Sequence, residues 1–306
     1  MDRTGRYALV AVVVATALWG FGGVLAGRLF SQGIDPLEVV ALRTWVALAG
    51  LAALFAWRRP KRLAGPFPWR AVVCFGLAVA VANAGLFLAI SRLPVAVALV
   101  LQNLAPAFVI GWRLLKPRVL ACVVASLLGV ALVVELPTAP LGSIDLLGVT
   151  FGLLAAAGVA AYSVFGSRAG KACGALTANT CAFLVSSVVW LLYQIPRGEP
   201  QVFHQPGALG AVVVIGLLGT LAPFLLYSWG STHVGPAMSA VNISLEPFFG
   251  AILAWVWLGQ MVKPVQAVGA VILLAAVILL QRIRDRPADS VAELPDLDRA
   301  VVSSRT

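Results

Sequence analysis

Ten apolar runs follow one another along almost the entire chain, and only short polar turns separate them. Each run has about 17–24 residues, the length that an α-helix needs to cross a bilayer core. Backbone amides find no water in lipid, and a helix satisfies them within one segment. The runs therefore predict an all-α membrane protein with ten transmembrane helices. They lie at residues 7–27, 36–57, 69–91, 95–112, 118–135, 146–167, 175–195, 207–230, 236–258 and 265–282.

The composition excludes a soluble domain. Of the 306 residues, 61% are hydrophobic and only 11% are charged, and the mean hydropathy is +0.97. A soluble domain of this length needs more polar surface to cover its core. The net charge of +10 would suggest nucleic acid in a soluble protein, but here most Lys and Arg residues fall in turns between apolar runs. We therefore expect a lipid bilayer around the chain and no nucleic-acid partner.

The residues that commonly hold metals or cofactors are few. The four cysteines form no CxxC pair, and His204 and His233 have no other ligand at a metal-binding spacing. The cysteines are interpreted as small buried apolar residues. The sequence thus predicts no metal and no cofactor.

Lys and Arg are distributed unequally between alternate turns. Of the 22, 17 fall on the side of the N-terminus and 4 on the other side, while Arg43 lies within the second run. Positive charge marks the cytoplasmic side, so both termini are predicted to be cytoplasmic. The first run continues past a stretch that imitates a signal-peptide cleavage site, which favours an uncleaved first helix. Residues 283–306 are charged and predict a disordered cytoplasmic tail.

The two halves of the chain repeat each other. Leu104–Phe108 (LAPAF) lines up with Leu245–Phe249 (LEPFF), so that Pro106 and Pro247 correspond. Because each half holds five helices, an odd number, the second copy must insert upside down. The sequence therefore predicts two inverted five-helix repeats, residues 7–135 and 144–282.

Short motifs in both halves resemble those of a known family. They are Ala17–Gly20, Ala41–Arg43, Tyr162 with Arg168, Leu245–Pro247 and Trp257–Gly259. In this order, within ten apolar runs, they resemble the drug/metabolite transporter superfamily, specifically its EamA-type exporters. The resemblance extends from Tyr7 to Arg282. The family usually ends its fourth and ninth helices with Leu-Gly-Glu, whereas Lys116 and Gln260 stand here, and we do not expect transport to depend on those positions.

The resemblance implies a secondary transporter with a central cavity between its two halves. Helices one, three, four, six, eight and nine would line this cavity, and the fifth and tenth helices would lie at the periphery. The usual activity of the family is export of small metabolites or toxic compounds from the bacterial cytoplasm across the inner membrane. The family name does not determine the substrate.

Glu246 is the leading candidate for a functional residue. Ser239, Asn242 and Glu246 are spaced i, i+3 and i+7, so they share one helix face near the predicted membrane midplane. Pro247 leaves the carbonyl of Ile243 without its helical partner. A charge inside the membrane is a functional candidate by default, although a Glu that only fixes helix packing would give the same pattern.

Arg43 lies at a similar predicted depth, seven residues into the second helix. An ion pair with Glu246 would neutralise both charges. Alternatively, Arg43 serves a structural role, extending to the headgroups or pairing with Glu38. Further candidates for substrate binding are polar or aromatic residues in the predicted cavity helices. They are Trp19, Asn83, Gln102, Asn103, Tyr162 and Tyr227.

These features together predict a secondary-active transporter that exports a small amphipathic metabolite, such as an amino-acid-like compound, or a drug. We expect alternating access, protons as the coupling ion, and a monomer or homodimer. One alternative is a membrane scaffold or regulator without transport. Another is an intramembrane enzyme, but the sequence has no Ser-His pair, HExxH motif or acidic cluster on its membrane helices.

Overall fold

The computed structural model describes residues 3–58, 66–105, 117–133, 135, 144–234 and 245–284, and within these residues it contains helices and turns but no strand. We number the helices in chain order. They are α1 (Arg3–Ser31), α2 (Pro36–Arg58), α3 (Trp69–Ile90), α4 (Val95–Gln102), α5 (Pro117–Val133), α6 (Leu146–Cys173), α7 (Ala175–Gln194), α8 (206–234), α9 (Glu246–Leu258) and α10 (Pro264–Arg284). Two short 3₁₀ turns, Ile195–Arg197 and Gln201–His204, connect α7 to α8.

Six helices in the described part of the chain are long and apolar enough to cross a membrane. They are Arg6–Ser31, Pro36–Arg58, Trp69–Ile90, Leu146–Cys173, Ala175–Arg197 and Gly207–Gly230. Shorter apolar helices cover Pro117–Val133, Glu246–Leu258 and Pro264–Leu280. The all-α class is therefore confirmed for these residues. The count of ten crossings remains a prediction, because residues 106–116 and 235–244 lie outside the described part, as does the predicted tail beyond Arg284.

Helix α6 continues beyond its apolar run. The sequence predicts an end at residue 167, but the helix extends to Cys173 and includes Lys171 in its last turn. Hydropathy marks only the part of a helix that suits lipid, whereas basic residues near a helix C-terminus interact favourably with its dipole. Gly174 follows as the C-cap, and its φ of 80° is a conformation that glycine adopts at low cost.

The two halves pack against each other in reciprocal pairs. Helix α3 packs against α6, and α8, the counterpart of α3, packs against α1, the counterpart of α6. In the same way, α1 contacts α9 and α6 contacts α4. The pairs α2–α7, α4–α9 and α5–α10 each join two counterparts. Exchanging the halves leaves these principal helix pairs unchanged, as expected for two repeats related by a pseudo-twofold axis.

Glycines allow two of these helix pairs to approach closely. A Cβ placed on Gly22 of α1 would lie 2.9 Å from the Cα of Gly219 in α8. A Cβ on Gly20 would lie 2.9 Å from the backbone nitrogen of Gly250 in α9. Small residues at such crossings are common in membrane proteins, where close van der Waals packing replaces the hydrophobic effect between helices.

One end of the bundle carries polar contacts that join the first half to the second. We call it the polar end, and the charge distribution predicts that it faces outward. Its contacts are Arg92 Nε to Asp145 Oδ2 (3.0 Å), Lys263 Nζ to Glu135 Oε2 (2.8 Å), Val95 N to Gln260 Oε1 (3.0 Å), Val202 N to Glu38 Oε1 (2.7 Å) and Tyr193 OH to Asp35 Oδ2 (3.1 Å). Both ion pairs recorded among the described residues are in this set.

A buried hydrophobic cluster lies directly beneath the polar end. It includes Val24, Val40, Phe87, Leu99 and Ile215, each at most 1% exposed. These residues come from α1, α2, α3, α4 and α8, so the cluster closes the centre of the bundle at this level. Large apolar side chains on the outward faces are exposed, as a surface in contact with lipid requires, and α5 and α10 form a peripheral pair.

Candidate functional site

A central cavity of about 250 Å³ lies where the two halves meet. On α1, α2 and α8 its lining residues are adjacent to the buried cluster, on the side away from the polar end. The cavity is lined by α1, α3, α4, α6, α8 and α9, as the family resemblance implies, and also by α2 and α7. Most of the lining is apolar or aromatic. Its charged side chains are Arg43 and Glu246, and its amide and hydroxyl groups include Asn83, Gln102, Ser163 and Thr220.

The structure brings most of the sequence-predicted site residues together. The candidates that line the cavity are Trp19, Arg43, Asn83, Gln102, Tyr162, Tyr227 and Glu246. Asn103 is not among the lining residues, because it follows the last residue of α4 and its Nδ2 donates to the carbonyl of Leu99 at 2.9 Å. Ser239 and Asn242 lie outside the described residues.

Glu246 is the first residue of α9, and the residue is only 5% exposed. Among the described residues no hydrogen bond or ion pair to its carboxylate is recorded. Helix α1 passes close by, since a Cβ on Gly20 would lie 3.3 Å from the backbone oxygen of Glu246. The carboxylate therefore faces a cavity in a confined position, which suits a group that binds a cationic ligand or a proton.

Arg43 is also buried, and the residue is 6% exposed. Its Nη1 donates to Thr220 Oγ1 at 3.1 Å, and its Nη2 donates to Asn83 Oδ1. The guanidinium carbon lies 4.1 Å from the centre of the Phe87 ring. Within the described part of the chain, Arg43 makes no ion pair with Glu246 or with Glu38. The carboxylate of Glu38 instead accepts a hydrogen bond from Val202 N.

The position of Thr220 depends on a local change of helix type. Helix α8 consists of Pro206–Gly216, a π-helical turn at Leu217–Leu221, and Ala222–Val234. In the π turn the Thr220 hydroxyl donates to the carbonyl of Ile215, five residues earlier, at 3.1 Å. Sequence reasoning missed Thr220, since no residue pattern distinguishes a π turn from the α-helix around it. It missed Phe87 as well, because an aromatic residue within an apolar run is normally interpreted as part of the hydrophobic core.

Aromatic rings form much of the cavity wall. Trp19 of α1 and Tyr227 of α8 have ring centroids 5.4 Å apart, and Phe183 and Phe224 are 5.9 Å apart. Such surfaces accept the apolar part of a small ligand, while a few placed polar groups orient it. Among the described residues no group of three or more His, Cys, Asp or Glu side chains could hold a metal ion.

Comparisons with known proteins agree with this architecture. The EamA-like transporter family matches residues 6–135 and 146–282. The threonine/homoserine exporter RhtA of Escherichia coli strain K12 is 28% identical over 267 residues, which cover 86% of this chain and 88% of the exporter. The uncharacterized transporter YwfM of Bacillus subtilis strain 168 is 26% identical over 280 residues, covering 88% and 92%.

A solved crystal structure has the same fold. It superimposes with a TM-score of 0.60 over 91% of this chain and 99% of its own, at 19% sequence identity. At that identity the likeness concerns the fold alone. Because the family matches both halves of the sequence, the chain belongs to the EamA-like transporter family of multi-pass membrane proteins.

Proposed function

We propose that this protein is a secondary-active exporter of a small, amino-acid-like metabolite. The observation that carries the proposal is the central cavity, which is lined by both halves and combines aromatic walls with one buried Arg and one buried Glu. Its volume of about 250 Å³ lies below the range of roughly 300–1,000 Å³ that is typical for drug-sized ligands. A solute of amino-acid size therefore fits better than a larger drug.

Alternating access is the mechanism that the packing supports best. The reciprocal pairing of helices is what two inverted repeats would produce, and such repeats can exchange conformations to open one site to either side. The polar end is closed here by the buried cluster and by the contacts between halves. With both termini in the cytoplasm of the bacterial cell, this closed end faces away from the cytoplasm, and the cavity would receive its solute from inside.

Glu246 is the proposed coupling residue. Its carboxylate lines the cavity without a recorded partner among the described residues, so it is available to a proton or to the cationic group of a solute in turn. We expect Glu246→Gln to abolish transport driven by a pH gradient while leaving membrane insertion intact. Transport at the wild-type rate in this variant would contradict the coupling role.

The proposal is tested by flux into proteoliposomes with and without an imposed pH gradient. The panel comprises amino acids, purine bases and cationic drugs, and threonine and homoserine are the first probes because one relative is named for their export. Uptake of at least one amino acid, stimulated by the gradient, is the expected result. Absence of flux for every solute, from protein that binds a panel member in detergent, would contradict the transport function.

A further inference from the structure

Arg43 carries a buried charge for which the described residues supply no counter-ion. Both ion pairs recorded in that part of the chain lie at the polar end. A guanidinium stays charged in proteins, and its burial is costly unless an opposite charge compensates. The compensating charge is therefore expected from a ligand in the cavity that Arg43 lines.

Three uncharged side chains hold the guanidinium in place. They are Asn83, Phe87 and Thr220, and we call them the Arg43 cradle. Two of them accept hydrogen bonds from the terminal nitrogens, and the ring of Phe87 lies beneath the guanidinium plane. Neutral partners fix the orientation of a charge without cancelling it. Among the described residues the Nε–H of Arg43 has no hydrogen-bond partner, so within this part of the chain the group keeps an unused donor.

The π turn of α8 contributes one wall of this cradle. A π turn holds an extra residue and rotates the side chains that follow, and such turns occur frequently at functional sites. Here the turn places the Thr220 hydroxyl between the carbonyl of Ile215, to which it donates, and Arg43, from which it accepts. The hydroxyl hydrogen is used within α8, so its oxygen is directed to the guanidinium.

We propose that Arg43 is the anion-binding residue of the cavity and that the Arg43 cradle presents its guanidinium to the carboxylate of the transported solute. This inference rests on the proposed function and adds to it the chemistry of one end of the solute. Glu246 lines the same cavity and serves the cationic end. The solute that satisfies both groups is a zwitterion, in which the carboxylate and ammonium ions each find an opposite charge.

The most direct test is Asn83→Asp, which places an internal carboxylate beside Arg43 with little change of shape. A structural role for Arg43 would be preserved or strengthened by this ion pair. An anion-binding role would be lost, because the internal carboxylate competes with the solute. Binding is measured by titration calorimetry on the purified full-length protein in detergent. The probes are the common amino acids, each paired with its α-amide, which lacks the carboxylate.

For an amino acid that binds the wild-type protein, Asn83→Asp should weaken affinity about tenfold or more, the effect of one charge-assisted hydrogen bond. The matching amide should keep or gain affinity. Thr220→Val should also weaken binding of the amino acid, and Thr220→Ser should restore most of the loss. Thermal unfolding of each variant shows whether it is folded.

Two results would overturn the proposal. One is an equal loss for the amino acid and its amide in folded Asn83→Asp protein. The other is a wild-type protein that binds no amino acid of the panel. In the second case, proteoliposome flux of a purine base or cationic drug would leave the transport function standing. Conversely, amino-acid binding that depends on Asn83 but is accompanied by no flux would contradict transport and support the anion site.

Discussion

At the scale of single residues, Gln260 shows how a position of unremarkable sequence acquires a structural role. Its Oε1 accepts a hydrogen bond from the backbone nitrogen of Val95, the first residue of α4, at 3.0 Å. The first amides of a helix have no partner within the helix, so this contact caps α4 from the opposite half of the molecule. The sequence marked position 260 only as a departure from the Glu that is usual in the family.

We therefore expect Gln260→Leu to destabilise the protein by about 0.5–2 kcal/mol, the usual effect of losing a helix cap. Gln260→Glu is the matched control, because it retains an oxygen that can accept the same hydrogen bond. Thermal unfolding in detergent compares the two variants. Equal unfolding temperatures for the Leu and Glu variants would show that the contact with Val95 contributes nothing.

Asp145 predicts a dependence on pH at the polar end. The hydrogen bond from the Gly148 backbone is the largest cause that lowers the pKa of Asp145 below its ordinary value of 3.8. Burial opposes this effect, and the contact with Arg92 adds to the lowering of the pKa. A carboxylate whose pKa is lowered on folding contributes stability above its ordinary pKa and loses it as pH falls through the folded value.

Asp145→Asn removes this charge and keeps a side-chain oxygen near Gly148 N. The wild-type protein should therefore be the more stable of the two near pH 6, and the difference should shrink as pH falls below about 4, the usual pKa of Asp. Unfolding temperatures measured across this range check the sign. A difference that stays constant with pH would argue against a role for the ionised carboxylate.

At the scale of helices, the apolar runs of the sequence predict most of the helices of the structure. The described part of each predicted range contains a helix, although much of the fourth and ninth ranges lies outside the described residues. Hydropathy could not locate the π turn at Leu217–Leu221, because no residue pattern distinguishes such a turn from the α-helix around it. Hydropathy also could not show that Gly22 packs against Gly219, since the two residues lie on helices that are far apart in sequence.

The crossing of α1 and α8 can be tested by adding one methyl group. Gly22→Ala would place its Cβ 2.9 Å from the Cα of Gly219, so the two backbones must separate. We expect a loss of about 1–3 kcal/mol, typical of overpacking. Gly210→Ala, in α8, is the control, since nothing lies within 4 Å of its Cβ. If both variants unfold at the wild-type temperature, the close approach is not required.

At the scale of the whole molecule, the polar end and the cavity form one system. Five polar contacts between the halves close the polar end, and the buried cluster lies beneath them. The cavity lies on the other side of this cluster. Charge counting predicted which end faces outward, but not that acidic and basic residues of different halves would pair there. Arg92 and Asp145 are separated by 53 positions, and their pairing follows from the packing of α3 on α6.

Opening the polar end must break these contacts. Exposed ion pairs contribute about 0–1 kcal/mol each, so Arg92→Ala combined with Lys263→Ala should favour the open form severalfold. In a chain whose four native cysteines are replaced, Ser163→Cys places a thiol on the exposed part of the cavity lining. Its labelling from the polar-end side should be faster in the double variant. An unchanged rate would show that the ion pairs do not hold this end closed.

The central claim, that one cavity opens to each side of the membrane in turn, is tested most directly with the same thiol. Its reaction with a membrane-impermeant reagent is measured in sealed vesicles, with the reagent supplied to one side at a time. We predict labelling from both sides, with rates that change in opposite directions when Arg92 and Lys263 are replaced. Labelling from one side only in every variant, or rates that rise together on both sides, would contradict alternating access.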